Sequence, residues 1–237
     1  MTDALDEYSG GVSCAGRKIV DLRFADDIDL VEKSASGIQE ITKRLEKTAK
    51  KYGMDISTEK SKVMVVGKPE NTYGQVADVM VDGIKLEQVK SFTYLGSTLT
   101  DNGRSEKEIR IRIGKATSSL ASLDNIWRAR NVSMKNKILL MRSIIMSTLL
   151  YACESWTVSK QDEKRLRAFE MKKYRRLLRI TWKDKRTNEW VKDRICELCG
   201  YEPKNPRTYK KDTLRLAGLR KTDVNRIANT SDGCYTC

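Results

Sequence analysis

Apolar and polar positions divide this chain into a first part with strand-like spacing and a second with helical spacing. Between Arg17 and Lys33, Ile19-Val20, Leu22 and Phe24-Ala25 precede the polar pair Asp26-Asp27, and Ile28, Leu30 and Val31 follow it. That spacing predicts two short strands joined at the pair, a β-hairpin with carboxylates at its tip. Next, Ile38, Ile41, Leu45, Ala49 and Tyr52 recur at helical intervals. Ser36 and Gln39 form a capping-box signature and Gly53 supplies a stop, so a helix is predicted over 36–52. The β-branched run Lys62 to Gly67, the stretch Val79 to Val89 folding about Asp82-Gly83, and the aromatic stretch Ser91 to Leu95 predict further short strands. The first 100 residues therefore read as an α+β unit.

Beyond Gly103 the punctuation disappears: no proline occurs until Pro203, and Gly114 is the only glycine before Gly200. Ile109, Ile113, Ala116, Leu120, Leu123 and Trp127 alternate spacings of four and three, a core-facing helical stripe. Ser133 can cap a second helix through Leu150, and Ser159 a third whose apolar side is Leu166, Phe169, Tyr174, Leu177 and Leu178. After about Lys221 apolar periodicity is absent, and residues 221–237 are expected to be a disordered tail.

Composition then narrows the chemistry. The chain of 237 residues carries a net charge of +14, which points to a polyanionic partner. The charge is uneven: residues 1–36 hold eight acids and four bases, whereas the window 159–187 holds twelve bases and four acids. Histidine is absent, so Ser-His-Asp triads, Cys-His dyads and His-ligated zinc are excluded, and any chemistry rests on carboxylates, lysines or thiolates. The longest nearly apolar run, Ile144 to Cys153, is half of what a bilayer requires, and Met1 to Glu7 is too acidic to open a signal peptide. A soluble intracellular protein, nuclear or cytoplasmic and without membrane contact, is expected.

Adjacent carboxylates on a tight hairpin repel each other unless solvent or a cation intervenes. Asp26-Asp27 is therefore either a solvated turn or a site for Mg2+, which favours one or two carboxylates plus waters and phosphates. The wider context bears on that choice. Leu22-Arg23-Phe24-Ala25-Asp26-Asp27-Ile28 resembles the catalytic hairpin of reverse transcriptases, those of non-long-terminal-repeat retrotransposons of the LINE type in particular. In order behind it, Ser57-Thr58-Glu59-Lys60-Ser61-Lys62-Val63 is similar to the family's lysine-bearing palm strand, and Phe92-Thr93-Tyr94-Leu95-Gly96 resembles the hairpin that grips a primer end. The stretches Asp101 to Trp127, Leu150 to Trp156 and Arg176 to Trp182 look like the region that follows the palm in these elements.

The resemblance implies a partial polymerase palm over 1–100, a thumb-like helical region over 101–158 and a basic helical extension over 159–220. It implies RNA-directed DNA polymerase chemistry, a two-metal nucleotidyl transfer in which Mg2+ is held by Asp26 and Asp27, with an RNA template and a DNA primer or target as partners. Lys62, or Lys60 beside it, would face the triphosphate, and Phe92, Tyr94, Leu95 and Gly96 would support the primer terminus. Only 25 residues precede Asp26, so the chain is expected to start inside the palm, without the family's upstream aspartate, fingers and endonuclease domain, and to be inactive alone. The alternative is a non-catalytic RNA- or DNA-binding remnant. For that, Lys164, Arg165, Arg167, Lys172, Lys173, Arg175, Arg176 and Arg179 can neutralise phosphates, and Tyr174, Trp182 and Trp190 can stack on bases. Two Cys-x-x-Cys pairs, Cys196/Cys199 and Cys234/Cys237, are a candidate zinc set, although 34 residues separate them and the segment Thr213 to Leu219 departs from the family's aromatic-Gly-His pattern.

Overall fold

The structure is a computed structural model that describes residue 5 and residues 8–14, 16–67, 76–200 and 233–236. It divides into two compact units, Met1–Arg104 with Lys221–Cys237, and Ser105–Arg220. The segment Thr213 to Leu219 lies outside the described residues.

In the first unit, β1 (Val12–Cys14) and β2 (Arg17–Ile19) form a ribbon ahead of the predicted hairpin, which is β3 (Asp21–Phe24) and β4 (Asp27–Glu32). Helix α1 (Ala35–Lys51) follows, then β5 (Lys62–Val66) and the short strands β6 (Met80–Val81), β7 (Ile84–Lys85) and β8 (Glu87–Gln88). A last hairpin joins β9 (Ser91–Tyr94) to β10 (Ser97–Thr100). Asp82-Gly83 and Leu95-Gly96 turn their hairpins with paired left-handed residues (φ +49 and +75, +46 and +78), the geometry whose twist matches that of the strands. Leu30, Val63 and Val65 meet Ile38, Ile41 and Leu45 of α1 in one buried cluster, which is why the periodicities of strand and helix were both legible. The helix is capped by Ser34, whose side chain accepts from Gly37 N–H, and not by Ser36. Gln39 is diverted to Met80, exchanging bonds with its backbone N–H (2.6 Å) and carbonyl (3.0 Å).

The main sheet has the order β3-β4-β11-β5-β8, where β11 is Gly233–Thr236. This strand comes from the stretch expected to be a disordered tail, and it runs antiparallel to both neighbours, pairing Thr236 with Leu30 and with Val63. Both neighbours are buried along most of their length, so their facing N–H and C=O groups need partners, and four residues suffice without any detectable periodicity. At the end of β4, the buried Glu32 carboxylate accepts from Tyr8 hydroxyl (2.8 Å), Gly11 N–H (2.5 Å) and Lys33 N–H (2.7 Å). Burial alone would raise this carboxyl, but the Lys33 and Gly11 amides and the Tyr8 hydroxyl outweigh it and hold it below the usual range. Glycine is required at 37, where a Cβ would lie 2.5 Å from Glu32 Cγ.

The second unit is helical: α2 (Glu106–Ser122), α3 (Asp124–Arg128), α4 (Met134–Leu140), α5 (Lys160–Leu177) and α6 (Asn188–Cys199). Helix α4 continues through a π-helical stretch, Met141–Met146, into a last turn at Ser147–Leu149, where Ser147 and Thr148 bond back to Ser143 and Ile144 carbonyls. Ser133 and Ser159 cap α4 and α5 as expected, the latter with a reciprocal bond from Asp162. The predicted stripe faces inward, with Ile109, Ala116, Leu120 and Trp127 buried against Ile138, Met141, Leu166 and Tyr174. No helix of the described residues is long and apolar enough to cross a membrane.

Among the described residues of this unit Arg112, Lys137 and Lys173 are buried, Lys173 the most deeply. Lys173 is fully buried, with Nζ against Met146 Sδ and 4.5 Å from the centre of the Tyr174 ring. Burial pulls its pKa down to about 8, opposed by Glu170 and assisted by Arg142. Burial raises Glu170 in turn, against the pull of Lys173, Lys192, the Tyr174 hydroxyl and Arg167.

Two outcomes follow. Ending the chain after Asp232 deletes β11 and leaves β4 and β5 unbridged; a loss of about 2 kcal/mol, or roughly 8–16 °C in the melting temperature of the first unit, is expected by circular dichroism. Replacing both partners, Lys173→Met with Glu170→Leu, is expected to stabilise the second unit by about 1–3 kcal/mol at pH 7, whereas Lys173→Met alone leaves the Glu170 carboxyl buried without its cation and is expected to destabilise it. Between the folded value near 8 and the ordinary 10.5 the unfolded chain binds more protons than the folded one, so wild-type stability rises with pH across that window. The advantage of the double variant therefore shrinks over the same interval, which melts at pH 7, 9 and 10.5 will show.

Candidate functional site

Phe24 and Asp27 pair directly across the β3–β4 hairpin, so Ala25 and Asp26 are its two turn residues. Ala25 takes a left-handed backbone (φ +54), a conformation that costs a non-glycine residue about 1 kcal/mol. Asp26 stands at the tip and Asp27 opens β4, both exposed. Two residues along the strand, Asp29 shares the face of Asp27 but is buried. Behind the tip lies a cleft of about 460 Å³, bordered by Asp26, Asp27 and Asp29, by Asp55, Ser57, Lys60 and Ser61 from the segment before β5, and by Phe92 and Tyr94 of β9. Leu30, Leu45 and Leu86 supply apolar wall. The three sequence motifs thus converge on one cavity.

Within this cleft the lysine is Lys60. Lys62, the other candidate, is tied to Glu87 of β8 by an ion pair of 2.7 Å and does not border the cavity. Strand alternation would put positions 60 and 62 on one face; they differ because Lys62 begins the paired strand β5 while Lys60 still belongs to the turn before it. Phe92 and Tyr94 are half-buried along the cleft, whereas Leu95 and Gly96 form the β9–β10 turn. Asp29 and Asp55 escaped the sequence reading; the Asp-x-Asp alternation at 27 and 29 was the signal for the first, and only the chain's return path brings in the second.

Could this tip hold a metal? Two exposed carboxylates suit Mg2+, which keeps several waters and is commonly held by one or two carboxylates plus phosphate oxygens. Among the described residues no three His, Cys, Asp or Glu side chains come together as a metal cluster. Cys196 and Cys199 lie on α6, where Cys199 Sγ donates to Ile195 carbonyl (3.0 Å). Cys237 and the side chain of Cys234, the other half of the zinc candidate, lie outside the described residues.

On α5 the predicted phosphate-binding cations separate into two groups. Lys173 is a correction: at 0 % exposure it belongs to the core and reaches no ligand. Tyr174, equally buried, offers no face for stacking. Arg165 bridges Glu106 (2.8 Å) and Asp162 (2.9 Å), Arg176 meets Asp124 (2.5 Å) and Arg167 lies 3.5 Å from Glu163. Arg175 donates to Arg186 carbonyl and Asn188 Oδ1, and Arg179 to Arg128 carbonyl (3.2 Å). These arginines hold helices and loops together, while Lys164 and Lys172 extend into solvent. Periodicity placed α5 well, but a basic residue on its inner stripe reads the same as one outside.

Residues 1–99 match the family described as reverse transcriptase (RNA-dependent DNA polymerase). Over 225 residues the chain is 26% identical to a transposon-derived protein of Caenorhabditis elegans, an alignment covering 93% of this chain and 76% of that protein. No solved structure matches significantly. The cleft at the Asp26-Asp27 tip thus lies in a stretch that matches reverse transcriptases, within a chain similar along most of its length to a transposon-derived protein.

Proposed function

We propose that the chain is part of an RNA-directed DNA polymerase of a non-long-terminal-repeat retrotransposon, with its reacting centre at the Asp26-Asp27 tip. The observation that supports this is the convergence of the carboxylate tip, Lys60 and the aromatic strand β9 on one cleft. Asp26 and Asp27 would hold Mg2+, which when bound supplies charge neutralisation for the triphosphate and acidity for the primer 3′-hydroxyl. Lys60 would offer its ammonium to the triphosphate, and Phe92 and Tyr94 a surface to the primer end, with Leu95 and Gly96 in the turn beyond them. An RNA template and a DNA primer are the partners this chemistry needs.

Before a triphosphate supplies its oxygens, two exposed carboxylates hold Mg2+ loosely, so extension by the chain alone is expected to be feeble. Its affinity for nucleic acid should persist regardless, carried by cations such as Lys164 and Lys172. Primer extension on an RNA template, with Mg2+ or Mn2+ at saturating concentration, tests the proposal. Asp26→Asn is expected to lower extension at least 100-fold while leaving salt-dependent binding of the template unchanged or slightly tighter. Extension that survives Asp26→Asn would remove the carboxylate tip from the reaction.

A further inference from the structure

The loop between α5 and α6 carries Trp182, whose side chain is 84 % exposed, the most exposed large apolar residue among those described. A tryptophan in that position forfeits the burial that normally offsets its area. The loop that presents it is nonetheless tightly determined. Asp184 accepts from Thr181 N–H (2.6 Å) and hydroxyl (2.8 Å), and Ile180 N–H returns to Arg175 carbonyl (2.9 Å). Arg175 grips Arg186 carbonyl at 3.0 and 3.1 Å, and Arg179 reaches Arg128 carbonyl. Two non-glycine residues, Arg179 and Lys185, sit in the left-handed region (φ +55 and +46), strain that persists only where the surroundings impose it.

What surrounds the indole is cationic. Lys183 Nζ lies 5.9 Å from the Trp182 ring centre, Lys185 and Arg186 are exposed beside it, and the Arg186 guanidinium stacks 4.6 Å over the Trp190 ring. The only acid between Arg179 and Thr187 is Asp184, whose carboxylate is taken up by Thr181. A rigid, water-facing aromatic ring rimmed by Lys and Arg has the chemistry of a stacking platform for bases whose phosphates meet the cations. Two aromatic rings set among exposed cations, Trp190 at 37 % exposure being the second, offer little to a hydrophobic protein interface.

We propose that the Trp182 loop is a binding site for single-stranded nucleic acid, in which Trp182 stacks on an unpaired base and Lys183, Lys185 and Arg186 contact the flanking phosphates. The proposal rests on the reading of the chain as a nucleic-acid-handling protein, and adds to it a site in the second unit.

Intrinsic fluorescence gives a direct readout, because two of the four tryptophans, Trp127 and Trp156, are buried at 5 % and 2 % exposure and the signal open to a ligand comes from Trp182 and Trp190. The full chain is titrated with a 12-nucleotide single-stranded DNA and with an abasic oligomer of equal length and charge. The base-bearing strand is expected to quench fluorescence, and Trp182→Ala to weaken its binding about tenfold or more while Trp182→Phe restores most of it. The dependence of affinity on salt should be unaltered, since no charge is removed, and the abasic oligomer should not distinguish Trp182→Ala from wild type. Wild type and Trp182→Ala binding the base-bearing strand equally would overturn this site while leaving the nucleic-acid reading intact. No binding of either oligomer by wild type at low salt would overturn both. Loss of affinity for anionic phospholipid vesicles in Trp182→Ala, with DNA binding unchanged, would reassign the ring to a membrane surface and overturn the proposal.

Discussion

The first unit depends on the register of β4. Leu30 must reach Ile38, Ile41 and Leu45 of α1, while Val31, on the opposite face, is also buried. Because side chains alternate along a strand, a slip of one residue would exchange those faces and place Asp29 in the helix-facing core. The far end is fixed by Glu32, which gathers donors from Tyr8, Gly11 and Lys33. With one end pinned by hydrogen bonds and the middle by burial, the turn can fall only at Ala25-Asp26, and the two carboxylates are delivered to the mouth of the cleft. The position of the carboxylate pair is thus a consequence of packing several residues away.

That dependence explains how much could be read from the residues alone. Strong periodicity carries its own tertiary information: the hairpin about Asp26-Asp27, the helix from Ile38 to Ala49 and the stripe from Ile109 to Trp127 each needed an apolar face, and each found one. Caps were legible where a serine directly preceded the apolar repeat, as at Ser133 and Ser159. At α1 two serines competed, and Ser34 prevailed while Gln39 was drawn off to the Met80 backbone. Strand β11 was illegible because its place is defined by the unsatisfied edges of β4 and β5, a demand written elsewhere in the chain. Of the cleft, the tip and the aromatic strand could be seen in the sequence, whereas the choice between Lys60 and Lys62 depended on which one meets Glu87.

Composition overstated the cationic surface for a related reason. A helix that reads as uniformly basic, α5, uses Arg165 and Arg176 in ion pairs to other helices and buries Lys173 outright. Arginine suits this work because its planar fork serves several acceptors at once, as Arg175 does with Arg186 and Asn188. Charge left for a polyanion is concentrated where acids are scarce or already occupied, on Lys164 and Lys172 and around the Trp182 loop. Net charge alone overcounts the cations open to a polyanion, and the ion-pair network decides which of them remain.

In the proposed reading, divalent metal is held at the Asp26-Asp27 tip, facing the cleft. Paramagnetic broadening by Mn2+ of backbone amide signals tests it most directly, because the effect falls steeply with distance and needs no turnover. At substoichiometric Mn2+ in the presence of a deoxynucleoside triphosphate, the signals of Ala25, Asp26, Asp27 and Ile28 are expected to be lost selectively, followed by those of Lys60, Phe92 and Tyr94 across the cleft. Broadening centred on other carboxylates, with the hairpin signals intact, would contradict it.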